Sequence, residues 1–340
     1  MKVIQVGIGG MGTAWLNTVL QSPEVEFAAF VEVNDQIATA QADKFALDRG
    51  LIFKSLPAAL EAVKADGVIN VTPPQFHREV SFAALEAGLP VLSEKPLAGT
   101  LDDAQAIVKK ANQTGVLHMV TQNYRYHQPC HTLKTVLASG ELGRIGAVTV
   151  EFFKGPHFGG FREEMPYPLI IDMSIHHFDL MRFFLESDPL SVFGRSWNPA
   201  WSWYKGDASA SVSLQFANGV AVAYNGSWCS QGQETPWNAH WRFECEKGVV
   251  ILRDDVVYVQ HLLGIEGSEG FRPNRYGELT PIPAVPMQRM AQAYLLHEFY
   301  EAVTQGKTPA TTCQDNIKSL GIVFDVVKSF ETGEVISSSF

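Results

Sequence analysis

The chain has 340 residues, more than one ordinary core accommodates and fewer than three require, which predicts two domains. Its 46% hydrophobic content against 18% charged residues excludes a disordered chain, and a formal net charge of −10 without any dense basic run excludes nucleic acid as a partner. Cys130, Cys229, Cys245 and Cys313 lie far apart with no CxxC pair, the usage of a reducing compartment, and no apolar run reaches the roughly 18 residues of a membrane span. Met1 and Lys2 lead straight into a glycine-broken strand too short for a signal peptide, so the cytoplasm is the expected compartment and no membrane contact is expected.

Short apolar runs then alternate with helical spacing. Strands are predicted at 3–6, 27–31, 67–71, 91–93 and 116–120, with helices from about Met11, over 36–45, around 79–87 and from Leu101. Such alternation reads as a parallel sheet with helices on both faces. "TLDD", Thr100 to Asp103, is a capping-box pattern that starts the last of these helices, and Gly115 is placed to end it.

From about residue 146 the period changes to two. Val148, Val150 and Phe152 share one face of a predicted strand, as do Val212, Leu214 and Phe216 of another. Asn218-Gly219 between two such runs predicts a two-residue hairpin, and further turns are expected at Lys247-Gly248 and Asp254-Asp255. The last 50 residues return to helical spacing. The reading is α/β: a dinucleotide-binding domain over 1–121, then over 122–340 an α/β domain with a large, mainly antiparallel open sheet, whose final helices are free to pack back on the first domain.

"VIQVGIGGMGTAWL" sets Gly7, Gly9 and Gly12 at GxGxxG spacing after a strand and at the opening of a helix, with Ile8, Gly10 and Met11 in the same turn. The glycines serve a tight turn, close approach of backbone to a pyrophosphate, and close helix–strand packing. The phosphates would rest on the helix's unpaired N–H groups and positive end. Glu32 follows an apolar strand 20 residues after Gly12, where an acid accepts bonds from ribose hydroxyls. Val33, Asn34 and Asp35 offer no cation for a 2′-phosphate, which predicts NAD over NADP. In "VTPPQFH", Thr72 and Pro73 end another strand at the same edge, and His77 either contacts the cofactor or caps the helix that starts there.

"VLSEKPLAGT" carries Glu94 and Lys95 to the edge where a nicotinamide would project, and Pro96 fixes the backbone beyond; cis is one of the two states open to that bond. In "IIDMSIHHFDLMRFF", Asp172 and His176 stand four apart, on one face of a helix, with Asp179 a turn further on. Oxidising an alcohol by hydride transfer requires removal of its proton. A histidine serves as base, a carboxylate stabilises its cation, and a lysine holds the oxygen. His177 points elsewhere and reads as structural. Two His and two Asp within eight residues also admit a metal reading, but His176 and His177 diverge and the cysteines are remote, so no metal is expected.

Taken together, the GxGxxG turn, "TPPQFH", "EKP", "NYRYHQP", "DMSIHHFD" and the C-terminal "FYEAVTQGKTPATTCQDNIKSLGIVFDVVKSFETGEVI" resemble the Gfo/Idh/MocA family of oxidoreductases over nearly the whole chain. The resemblance implies an NAD(P)-binding Rossmann domain and oxidation or reduction of a sugar or polyol. It matches Lys95, Asp172 and His176 to the family's catalytic Lys, Asp and His. It also implies a homodimer or homotetramer joined through the open sheet. The chain departs from the family pattern at "EMPYPLIID", where Tyr167, Pro168 and Leu169 replace a glycine-rich run and reshape the approach to the site.

The preceding segment, Gly155 to Pro168, has glycines for mobility and polar groups for contact. His157, Arg162 and Glu163 are its substrate-contact candidates, and Tyr124 and Arg125 face the substrate or pack the domains. The expected activity is NAD-dependent hydride transfer from a secondary hydroxyl of a sugar, cyclitol or related polyol. The alternatives are a redox-neutral enzyme that keeps its NAD, of epimerase or glycoside-cleaving type, and a non-catalytic NAD and sugar sensor.

Overall fold

Strand β1 (Lys2–Val6) is buried from Val3 to Val6 without alternation, as a parallel strand covered by helices on both faces must be. In the computed structural model, which describes residues 1–340, β1 belongs to a compact unit formed by Met1–Asn123 and Arg289–Leu320. Its sheet adds β2 (Glu26–Val31), β3 (Ile52–Phe53), β4 (Gly67–Asn70), β5 (Val91–Ser93) and β6 (His118–Val120), in the order β3-β2-β1-β4-β5-β6. Every neighbouring pair is parallel. This is one half of the dinucleotide-binding order followed by the other, and the chain reverses its winding at β1 and β4.

Helices α1 (Gly10–Leu20), α2 (Asp35–Phe45), α3 (Leu56–Ala62), α4 (His77–Glu86) and α5 (Leu101–Thr114) connect the strands. The periodicity does not predict β3 and α3: a two-residue edge strand and a seven-residue helix are too short to show a period. Thr100 starts α5 by accepting from Asp103 N at 3.2 Å, and Gly115 ends it in the left-handed region at φ +69°. The reciprocal half of the expected capping box is absent, because the Asp103 carboxylate pairs with Arg78 at 2.9 Å instead.

The second unit comprises Tyr124–Gln288 and Gly321–Phe340. It contains α6 (Gln128–Ala138), β7 (Ile145–Phe153), α7 (Phe161–Glu164), α8 (Ile175–Leu185), β8 (Pro189–Trp197), β9 (Ser209–Phe216) and β10 (Ala221–Ser227). After these come β11 (His240–Cys245), β12 (Gly248–Arg253), β13 (Val256–Ile265), β14 (Asn274–Tyr276), β15 (Thr280–Pro281) and the terminal β16 (Ile336–Ser337). They form one sheet in the order β14-β13-β12-β11-β7-β10-β9-β8-β16, with β15 paired to β13. All pairs are antiparallel except β7 with β10.

The period-two reading holds residue by residue. Val148, Val150 and Phe152, and likewise Val212, Leu214 and Phe216, are buried, while Thr149, Glu151, Ser211, Ser213 and Gln215 face outward. Helix α8 packs on the apolar face, with Phe178 against Tyr224 at 5.6 Å and Phe184 edge-on to Trp241 at 5.3 Å. Each such ring, fully buried, contributes roughly 1.5–3 kcal/mol.

The β9–β10 hairpin differs from expectation. Phe216 pairs with Val220, so the loop has three residues, Ala217 to Gly219, closed by Gly219 at φ +90°. The turn before β12 is Glu246-Lys247, one residue earlier than expected, while Asp254-Asp255 forms a two-residue turn with both φ positive.

Helix α9 (Ala291–Gln305) and the first turns of α10 (Cys313–Thr332) return the chain to the first unit. Glu24, in the loop after α1, receives Arg289 at 3.0 Å and His297 at 2.8 Å. No helix is long and apolar enough to cross a membrane, and all four cysteines are free thiols.

Candidate active site

In the first unit, the residues that leave the carboxyl ends of the strands are held by the neighbouring strand. Gly7 N donates to Val31 O, Val71 N to Val6 O and Glu94 N to Asn70 O, each at 2.8 Å, and Glu32 N donates to Phe53 O at 3.0 Å. Four of the expected site segments therefore start from one rigid edge.

The glycine spacing has a steric cause. A Cβ on Gly7, at φ +89°, would lie 2.7 Å from Val71 O, and one on Gly12 would lie 2.4 Å from Gly7 O. Gln5 secures the turn by donating from Nε2 to Gly7 O at 3.0 Å and to Gly12 O at 2.9 Å. A Cβ on Gly10 would meet nothing within 4 Å, and Gly9, the cap of α1, supplies no side-chain acceptor. The first N–H groups of α1 thus face an open cradle with Ile8, Met11 and Gly12 around it, which suits a pyrophosphate. The Glu32 carboxylate, 8% exposed, accepts from Ile8 N at 3.2 Å and Asn34 N at 3.0 Å, next to that turn. These residues fit a dinucleotide.

A cation not foreseen from sequence stands close by. Lys54, just after β3, pairs with Asp35 and reaches the carbonyls of Glu32 and Val33 at 3.3 and 3.2 Å. Its signal was lost with that of β3.

The EKP turn is fixed from within. Glu94 is buried and turned inward, where Oε1 accepts from Trp15 Nε1 at 2.8 Å and Oε2 from Lys95 N at 3.0 Å. The Lys95-Pro96 bond is cis, and Lys95 itself is half-buried. His77 is wholly buried, and its ring nitrogens lie 2.8 Å from Pro96 O and 2.8 Å from Thr72 O. It therefore bridges the turn after β4 to the turn after β5. Burial lowers its pKa against the pull of those carbonyls. Thr72 donates from its hydroxyl to Asn70 Oδ1 at 2.7 Å, and Pro73 is exposed.

In the second unit, Asp172 and His176 do not lie on one regular α-helix. Leu169–Ser174 forms a π-helical turn that runs into α8. Ser174 donates from Oγ to Leu169 O, five residues back, at 3.0 Å. The wider turn alters the angle between Asp172 and His176 that α-helical spacing predicts. His176 is 5% exposed and stacks on Tyr124, ring centres 4.1 Å apart at 12°. Burial raises the Tyr124 phenol well above its ordinary pKa.

His177, fully buried, is pushed down to about 4 by desolvation and is neutral. It donates from Nε2 to Trp237 O at 3.1 Å and accepts at Nδ1 from Tyr224 at 3.2 Å. The same hydroxyl meets Ser174 Oγ at 2.9 Å, which ties the π turn to β10.

The remaining candidates divide by partner. Arg125 is buried and grips Asp179 at both carboxylate oxygens, 2.6 and 2.7 Å away. Arg162 donates to Asp172 at 2.6 Å. Glu163 accepts from Gly159 N at 2.8 Å within its own loop, and His157 stacks on Trp203 at 3.7 Å. No group of three or more His, Cys, Asp or Glu side chains is placed to hold a metal. A shallow cavity of about 690 Å³ beside Leu142, Asn218 and Glu246 contains none of the candidate residues.

Residues 1–122 match the family model described as an oxidoreductase family with an NAD-binding Rossmann fold, and residues 130–251 match that of the GFO/IDH/MocA C-terminal domain. The chain is 26% identical to the 1,5-anhydro-D-fructose reductase of Ensifer adhaerens, over 97% of this chain and 96% of that protein. It is 28% identical to the scyllo-inositol 2-dehydrogenase (NAD+) of Bacillus subtilis, over 81% of this chain and 78% of that protein. Among solved structures, an oxidoreductase from Agrobacterium radiobacter in complex with NAD+, L-tartaric acid and magnesium superposes with a TM-score of 0.87 at 21% identity, covering 99% of this chain and 98% of that one.

Proposed function

The chain belongs to the Gfo/Idh/MocA family of NAD-binding oxidoreductases, and on that premise we propose that it is an NAD-dependent dehydrogenase of a secondary hydroxyl on a sugar, cyclitol or related polyol. The observation that carries the reading is the EKP turn. Glu94 is tied inward to Trp15 and to the backbone of Lys95, so the lysine is delivered at the carboxyl edge of a nucleotide-binding sheet by a buried scaffold. The relatives named as an anhydrofructose reductase and an inositol dehydrogenase support the substrate class.

A bound nicotinamide supplies the hydride acceptor. Lys95 holds the substrate oxygen as its charge changes, His176 takes the hydroxyl proton, and Asp172 balances the charge His176 acquires. Tyr124, stacked on His176, fixes the plane of the imidazole. The protein works in the cytoplasm as a dimer or tetramer joined through the polar outer face of the large sheet.

The test is NADH formation by purified protein across sugars, inositols, sugar acids and glycosides, with NAD and NADP in parallel. Turnover with NAD on at least one compound is expected. Product formed from a silent well, with NAD bound and no NADH released, would replace this reading with the redox-neutral one.

The preference for NAD rests on Glu32, whose buried carboxylate opposes a 2′-phosphate. Glu32→Ala is expected to raise the KM for NAD by about tenfold to a hundredfold, the loss of charge-assisted bonds to a ribose. The same change is expected to lower the KM for NADP, because it removes the carboxylate that opposes a 2′-phosphate, while Lys54 keeps its ion pair with Asp35. Unchanged discrimination in steady-state kinetics would remove Glu32 from the cofactor site.

A further inference from the structure

Asp172 is bonded to a cation carried by the segment in front of it. Arg162 on α7 donates from Nε to Asp172 Oδ2 at 2.6 Å. Its guanidinium lies 5.1 Å from the ring centre of Phe158 and 4.8 Å from that of Phe161. Those rings are 45% and 63% exposed, so they wall the cation and do not fill a core. The backbone bends at Gly159 and Gly160, both at φ +65°, which only glycine adopts readily. The bend is held by Glu163, which accepts from Gly159 N at 2.8 Å through its carboxylate and from Lys205 N at 2.8 Å through its carbonyl.

A guanidinium presents five N–H donors in a rigid fork. Asp172 engages Nε alone, and the two terminal nitrogens make no hydrogen bond to the protein, although the side chain is only 33% exposed. A bond at Nε fixes the plane of the fork and aims its outer edge away from Asp172. A fixed, ring-flanked outer edge matches a planar oxyanion better than a single hydroxyl, which one donor would satisfy.

We infer that Arg162 determines substrate specificity at the site proposed above, and that the substrate carries a carboxylate near the hydroxyl that is oxidised. It is a sugar acid or hydroxy acid, not a neutral polyol. This rests on the dehydrogenase reading, and binding separates the two. The NAD-loaded protein is titrated calorimetrically with matched pairs, D-galacturonate against D-galactose and D-gluconate against D-glucitol, and each is also assayed for NADH.

The acids are expected to bind and to be oxidised at least tenfold more efficiently than their neutral partners. Arg162→Ala is expected to weaken acid binding by about tenfold to a hundredfold and the weak neutral binding by no more than a fewfold, the part that passes through Asp172, with Arg162→Lys between. Thermal unfolding checks that both variants are folded. Equal loss for acid and neutral partner would reduce Arg162 to a positioning residue for Asp172 and overturn the inference, as would oxidation of neutral compounds with no acid bound. Acid binding that depends on Arg162, without NADH from any compound, would uphold the ligand class and sink the dehydrogenase reading.

Discussion

Lys95→Ala is expected to lose about a thousandfold in kcat while the protein still binds NADH within a fewfold of wild type. The size follows from removing a pre-positioned charged donor at the oxygen where charge changes during reaction, which costs about a hundredfold to a thousandfold, and more where that donor also sets the proton's exit. The selectivity follows from the geometry. The glycine turn, the uncapped start of α1 and Glu32 involve no atom of Lys95, and Glu94 stays tied to Trp15 when the lysine is shortened. Lys95→Arg is expected to fail almost as badly, because a planar fork does not place one charge where a compact ammonium does. Steady-state kinetics with a fluorescence titration of NADH decides the matter. A parallel fall in turnover and NADH affinity would mean that the lysine holds cofactor and takes no part in the chemistry.

Much of this arrangement was legible in the sequence, for a local reason. The glycine spacing can be read because each glycine answers a contact within a few residues, as when Gly12 must clear Gly7 O. Strand β5 was readable to the residue because a fully buried strand is a short apolar run bounded by turn signals. The faces of β7 and β9 followed from alternation.

What escaped was short or depended on distant closure. Lys54 follows a two-residue strand with no period of its own. The π turn at Leu169–Ser174 has the composition of a helix, and the contacts that hold it come from Ser174 and from Tyr224, the second on another strand. The partners of Arg125 and Arg162 are equally hidden. Charge alone did not tell a substrate contact from an ion pair, and the chain had to fold before Arg125 met a carboxylate 54 residues away.

That last pair makes the largest stability prediction. Arg125 and Asp179 are 5% and 1% exposed and share two hydrogen bonds, so deleting either partner strips the other buried charge of two charge-assisted bonds. Asp179→Ala and Arg125→Met are each expected to destabilise the second unit by about 3–5 kcal/mol. The double variant Arg125→Met with Asp179→Leu is expected to recover most of that loss, since two apolar side chains need no counter-charge. Urea unfolding followed by tryptophan fluorescence measures both.

The pair also bears on the site. Arg125 follows Tyr124, which stacks on His176, and Asp179 lies three residues after His176 on α8. The ion pair therefore joins the helix that carries the proposed base to the segment whose tyrosine stacks on it. If its role is to hold that stack, the stability-restored double variant should fold well and still turn over more slowly, with kcat reduced and KM little changed. Full recovery of both stability and kcat would make the ion pair a contributor to folding alone and leave the orientation of His176 to Tyr124 and the π turn.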